Sequence, residues 1–167
     1  MFKLRSKILG AMSVVAVAGA MAATGLTAAS ASQAAGSSGT EFFQLVNTSP
    51  ANNAPSSIIA RGVFTAGGVD HTGNKVDTLV FPKGSFKVAH TGPAKQTLNP
   101  KTCLLTVTGH GTYKISGGTG AYANISGSGT YTLSILAILP KSGGKCSTTM
   151  PPTTFQQIIK ASGPVSL

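Results

Sequence analysis

Two segments spaced 18 residues apart repeat one pattern: Gly109-His110-Gly111-Thr112-Tyr113 and Gly127-Ser128-Gly129-Thr130-Tyr131. A strict period of two surrounds the first. The odd positions Cys103, Leu105, Val107, Gly109, Gly111, Tyr113 and Ile115 are apolar or glycine, and the even positions Thr106, Thr108, His110, Thr112, Lys114 and Ser116 are polar. Successive side chains of a strand point to opposite faces, so this alternation specifies a long, half-buried strand. The second segment repeats it on Gly127, Gly129, Tyr131, Leu133 and Ile135. Glycines that share a face let a strand bend and coil sharply, as barrel closure requires, and an aromatic ring can lie over the bare backbone of a neighbouring strand's glycine. Gly117 to Asn124 then reads as a glycine-rich corner between two strongly curved strands. No helix-length periodicity occurs beyond residue 31. The expected fold is all-β: a single antiparallel barrel of about eight strands.

The remaining strands are marked by apolar runs and by their breakers. "EFFQLVN" reads as a first strand and "IIARGVFTA" as a second, interrupted by "GGVDHTGNK". "VDTLVF" is stopped by Pro82 and Gly84, after which "SFKVAHT" resumes. "GPAKQTLNPKT" and "PKSGGKCSTTMPPTT" read as loops, and "FQQIIKASGPVSL" as a final strand.

The first 31 residues have the form of a secretory signal peptide. Lys3, Arg5 and Lys7 precede an apolar run from Ile8 to about Leu26, and Ala29-Ser30-Ala31 places small residues at the cleavage positions. Cleavage is expected after Ala31 or as far on as Ala35, leaving no membrane span. No cysteine adjoins the cut to take a lipid, and no Arg-Arg pair indicates twin-arginine export. Residues 32–40 read as a flexible leader and 41–167 as the barrel domain. Removing residues 1–31 takes three of the thirteen basic residues and no acid, so the net charge falls from +10 to +7. In an exported chain the two cysteines, Cys103 and Cys146, are expected to pair.

Familiar chemistries find few residues to work with. Gly118-Thr119-Gly120-Ala121-Tyr122-Ala123 matches a dinucleotide-binding glycine pattern, but that motif needs a following helix and an acid about 20 residues on. No acid occurs after Asp77. His71, His90 and His110 are widely spaced, so no metal site and no cofactor are expected. A nucleophile elbow is absent. Paired-carboxylate catalysis would have to draw on Glu41, Asp70 and Asp77, of which Asp70 falls in the expected break "GGVDHTGNK". Asp70 and His71 are adjacent, but neighbours on a strand face opposite ways. The lysines are scattered and not interleaved with aromatics, which argues against nucleic acid and allows weak contact with anionic cell-envelope polymers.

"NPKTCLLTVTGHGTYKISGGTGAYANISGSGTYTL", preceded by "VDTLVFPKGSFKVAHT" and followed by "IIKASGPVSL", resembles exported actinobacterial proteins with the allene oxide cyclase and dirigent type of β-barrel. The resemblance covers roughly residues 56–167 and is most specific in "GTYKISGGTGAYANISGSGTYT". It implies an eight-stranded antiparallel barrel, often with a hydrophobic cavity, and many members with no known activity. The glycine–tyrosine framework matches; the family's polar positions inside the barrel do not. The expected function is therefore a secreted barrel of no assignable catalytic activity that either binds a small hydrophobic or aromatic molecule or simply presents a stable surface in the envelope. The alternatives are an isomerase or cyclase of a hydrophobic substrate and an envelope-polymer interaction module. Phe64, Phe86, His90, Tyr113 and Tyr131 are the side chains expected to face the barrel interior. His90 is the candidate polar group for an isomerase, because it shares strand parity with Phe86 and Val88.

Overall fold

A computed structural model describes residues 36–51 and 54–167. The expected signal peptide lies outside the described residues. The chain forms β1 (Ser38–Asn47), β2 (Ser56–Arg61), β3 (Ala66–His71), β4 (Val76–Phe81), β5 (Gly84–Thr91), β6 (Ala94–Asn99) and β7 (Leu104–Ser116). After a single 3-10 turn at Gly120–Tyr122 come β8 (Ser126–Ile138), the short pair β9 (Lys141–Ser142) and β10 (Lys145–Cys146), and β11 (Thr154–Ser166). The sheet runs β5-β4-β3-β2-β1-β11-β8-β7, and pairing of β5 with β7 closes it. It is an eight-stranded barrel in which every pairing is antiparallel.

Alternation decides which side chains go inside. In β7 the odd positions from Val107 onward face in, ending on buried Tyr113 and Ile115, and the intervening threonines and lysine face out. β8 continues the pattern through Tyr131, Leu133 and Ile135. The glycine–tyrosine repeat is the hinge of this hairpin. Gly111 pairs with Tyr131 and Gly129 with Tyr113. A Cβ at Gly111 would stand 2.8 Å from the Tyr131 ring, and one at Gly129 the same distance from the Tyr113 ring. Each tyrosine thus covers the bare backbone of the opposite glycine, as the sequence pattern predicts.

Three expectations are corrected. β1 begins at Ser38, so Ser38, Gly39 and Thr40 of the expected leader belong to the sheet, paired with Ser166, Val165 and Pro164. "GGVDH" is strand β3 rather than a break. "AKQTLN", expected in a loop, is β6, which continues β5 along β7 in the same register: Thr91 faces Thr112 and Ala94 faces Gly109. The interruption is Gly92-Pro93, where proline lacks the N–H the ladder needs. The Pro93 carbonyl still accepts from the His110 N–H at 3.3 Å.

The barrel is packed at one end and open at the other. Phe43, Phe64, Phe81, Phe86 and Tyr122 fill the packed end, with ring centroids 4.9–6.3 Å apart and half of the pairs edge-to-face. The Gly117–Asn124 corner closes that end by burying Tyr122 and the adjacent Ile125. Gly117 and Gly120 adopt left-handed backbone there, with φ of 62° and 57°. The glycine-rich corner is architecture, and its Ala121 N–H donates to the Lys83 carbonyl at 2.8 Å.

Candidate functional site

The open half of the barrel holds a cavity of about 220 Å³. Apolar side chains from five strands make most of its wall, among them Leu79, Val88, Leu133 and Ile159. Phe43 and Tyr113 belong both to the packed cluster and to the cavity, so they form its floor. His90, Asp77, Thr72, Gln157 and Tyr131 supply the polar or amphipathic part.

The five expected interior residues divide into two groups. His90, Tyr113 and Tyr131 line the cavity together. Phe86 is fully buried in the packed end, and Phe64 packs edge-on against Phe43, Phe81 and Phe86. Neither phenylalanine lines the cavity. Phe64 sits in the β2–β3 turn instead of on a strand, because Gly62, with φ of 141°, turns the chain inward just before it.

Asp70 lies on a strand and not in the break expected there. Glu41, Asp70 and Asp77 all lie on strands, and Glu41 and Asp70 are 0% and 1% exposed. Glu41 is held at the packed end, where its Oε2 accepts from the Phe64 N–H at 3.0 Å and ties β1 to the β2–β3 turn. Burial raises its pKa above the ordinary carboxylate value against the pull of that N–H. Asp70 and Asp77 are at the open end. Asp77 Oδ1 lies 3.4 Å from His90 Nε2 and accepts from the Gly73 N–H at 2.9 Å. Asp70 Oδ2 accepts from the Thr72 hydroxyl at 3.2 Å, but its Oδ1 and the neighbouring Ser56 hydroxyl have no partner. Ser56 and Asp70 are cross-strand partners on the inner face. His71, next in sequence to Asp70, is exposed on the outer face, as strand geometry requires.

Burial pushes the Asp70 carboxyl from 3.8 up to about 6, helped by the nearby Asp77 charge and opposed by Thr72 and His90. A carboxyl with a raised folded pKa holds its proton where the unfolded chain has lost it. Its stabilising effect is complete below about pH 4 and is lost as pH rises through about 6. Thermal melts are therefore expected to show stability declining between those values. Asp70→Asn should flatten that decline and raise the melting temperature at pH 7.5. An unchanged pH profile in Asp70→Asn would show that Asp70 ionises without cost.

Tyr113 is 5% exposed and its hydroxyl has no partner. Burial, with the Glu41 charge second, raises its pKa to about 12, so it remains a protonated donor over the physiological range. The Tyr131 ring stands edge-on to His90, with centroids 6.2 Å apart. Among the described residues, no three His, Cys, Asp or Glu side chains converge as metal ligands would. The site can therefore enclose an apolar body and place one polar group against Asp77 and His90.

All three acidic side chains of the sequence are thus drawn to the inner face, whereas Arg61 and every lysine from Lys75 to Lys160 are exposed. The outer surface carries side-chain cations and no side-chain carboxylate. Cys103 and Cys146 form a disulfide, with their Cα atoms 5.3 Å apart. No family description, characterised protein or solved structure matches the chain.

Proposed function

We propose that this protein is an exported, non-enzymatic barrel that binds a small hydrophobic or aromatic molecule in its open half. The supporting observation is the cavity itself: about 220 Å³, walled largely by aliphatic and aromatic side chains, with Asp77 and His90 facing each other across adjacent strands 3.4 Å apart. That combination is the usual make-up of a small-molecule site. A dry apolar cavity of about 150 Å³ already accepts benzene, so this one has room for a ring with a short substituent. Export is supported by the signal-like first 31 residues and by the disulfide.

Native mass spectrometry of the protein taken from its natural source tests this reading. A reproducible added mass of one small molecule is expected, and Leu133→Trp, which fills the cavity from β8, should abolish it. The chain has no other tryptophan, so indole fluorescence then reports whether the new side chain is buried as intended. A clean unliganded mass for the wild-type protein overturns the reading.

A second reading, contact with anionic envelope polymers, is favoured by the carboxylate-free outer surface. Exposed charges separated by more than about 8 Å are screened at physiological salt. Retention on purified envelope polymer should thus be strong at low salt and lost by roughly 0.3 M. Absence of retention at low salt removes this reading.

A further inference from the structure

We infer that the cavity is a site for a small ammonium-bearing amphiphile: an apolar or aromatic body carrying one positive charge, met by Asp77 and by the rings of Tyr131, Tyr113 and Phe43. This inference rests on the cavity being a ligand site and names the chemistry of its occupant.

The first support is the sign of the charge around the cavity. Asp77 lines it, Asp70 stands on the adjacent strand β3, and no lysine or arginine side chain contributes to the wall. His90 is the one group there able to offset a carboxylate, and it faces Asp77. Both the His90 and the Gly73 contacts of Asp77 are made by Oδ1, which leaves Oδ2 for a ligand. Asp70, 1% exposed, keeps an oxygen with no partner. Buried carboxylates are normally paired or coordinated, because leaving one alone is costly. A cation placed beside Asp77 would relieve both acids. A neutral guest would leave them as they are, and an anionic guest would add a third negative charge.

The second support is aromatic. Phe43, Tyr113 and Tyr131 all line the cavity, and aromatic faces attract ammonium groups, most strongly when water is excluded. Tyr113 adds a buried hydroxyl oxygen that has no partner and can accept an N–H. A bare metal cation fits poorly, since the wall is largely apolar and no ligand set converges among the described residues. An organic cation uses the acids, the rings and the aliphatic wall together.

The test is calorimetric titration at pH 7.5 with three probes of nearly equal size: 1-naphthylmethylamine, 1-naphthylmethanol and 1-naphthoate. The amine is expected to bind at least ten-fold more tightly than the alcohol, with naphthoate weakest. In Asp77→Asn, whose amide oxygen can still accept from Gly73, the amine should lose its advantage over the alcohol. The outer surface biases the result the other way, because its exposed cations attract naphthoate and repel the amine. A preference for the amine therefore comes from the interior. Equal binding of amine and alcohol overturns the inference and leaves the small-molecule reading standing. Retention of the preference in both Asp77→Asn and Asp70→Asn also overturns it. Failure of all three probes to bind removes the small-molecule reading together with the inference. Should Asp77→Asn fail to fold, the wild-type ranking and Asp70→Asn decide.

Discussion

Gly129→Val is expected to lower the melting temperature by more than 10 °C or to leave the protein insoluble, while Gly67→Val is expected to fold and melt like wild type. A Cβ at residue 129 would run into the Ser162 carbonyl oxygen on β11 and come within 2.8 Å of both its carbon and the Tyr113 ring. Two of these three contacts are backbone, so repacking side chains cannot relieve them. Overpacking of an ordinary core costs roughly 1–3 kcal/mol; here strand separation must increase, and the cost should exceed that range. The obstruction is reciprocal, since a Cβ at Gly163 would approach the Gly129 Cα to 2.6 Å. Gly67 shows the opposite situation. It is exposed on β3 opposite Ile59, and a Cβ there meets nothing within 4 Å. Thermal melts of the two variants separate curvature from generic glycine sensitivity, and equal stability for Gly129→Val and wild type would show that β8 and β11 can move apart freely.

The close approach of those strands shows what the sequence made legible and what it concealed. The Gly109–Tyr113 and Gly127–Tyr131 repeats were readable because the hairpin they build is local: β7 and β8 pair with each other across the short corner. Their outer neighbours use a matching device that local pattern does not disclose. Gly92-Pro93 approaches Gly111, and Gly163-Pro164 approaches Gly129. Each Gly-Pro lets a strand pass close to the hairpin where the ladder is interrupted. Read alone, Gly92-Pro93 signals a loop, and β6 beyond it is exposed along its whole length. With no buried face there is no alternation to detect. β3 escaped for a related reason. Its inward positions include Gly68, where a Cβ would stand 2.7 Å from the Phe81 ring, so the packing is supplied by another strand. Losing β3 from the reading also hid Asp70. Of the candidate site, His90 was legible from parity with Phe86 and Val88. The carboxylates at the open end were not, because their environment is set by pairing between β2, β3 and β4.

Removing the disulfide through Cys103→Ala and Cys146→Ala together is expected to cost about 4 kcal/mol, or roughly 10–15 °C in melting temperature. The two cysteines are 43 residues apart, and the bond's main effect in the chain-entropy account is to restrict the unfolded chain. A second effect is local. The segment from Pro140 to Thr153 carries only the two-residue strands β9 and β10, and its backbone is fastened by the Ser147 N–H to the Pro140 carbonyl and the Thr153 N–H to the Ile138 carbonyl. Without the disulfide this segment should become the first site of proteolytic nicking, whereas the barrel strands stay protected until global unfolding. Cys103 adds a refinement, because it is the one non-glycine residue among those described with a positive φ, 58°. Left-handed backbone costs an L residue roughly 1–2 kcal/mol, and alanine at 103 keeps that cost. Cys103→Gly with Cys146→Ala should therefore recover about 1 kcal/mol of the loss. Denaturant midpoints of the two double variants measure the difference, and if glycine gives no recovery, the turn at Lys101–Cys103 relaxes once the disulfide is gone.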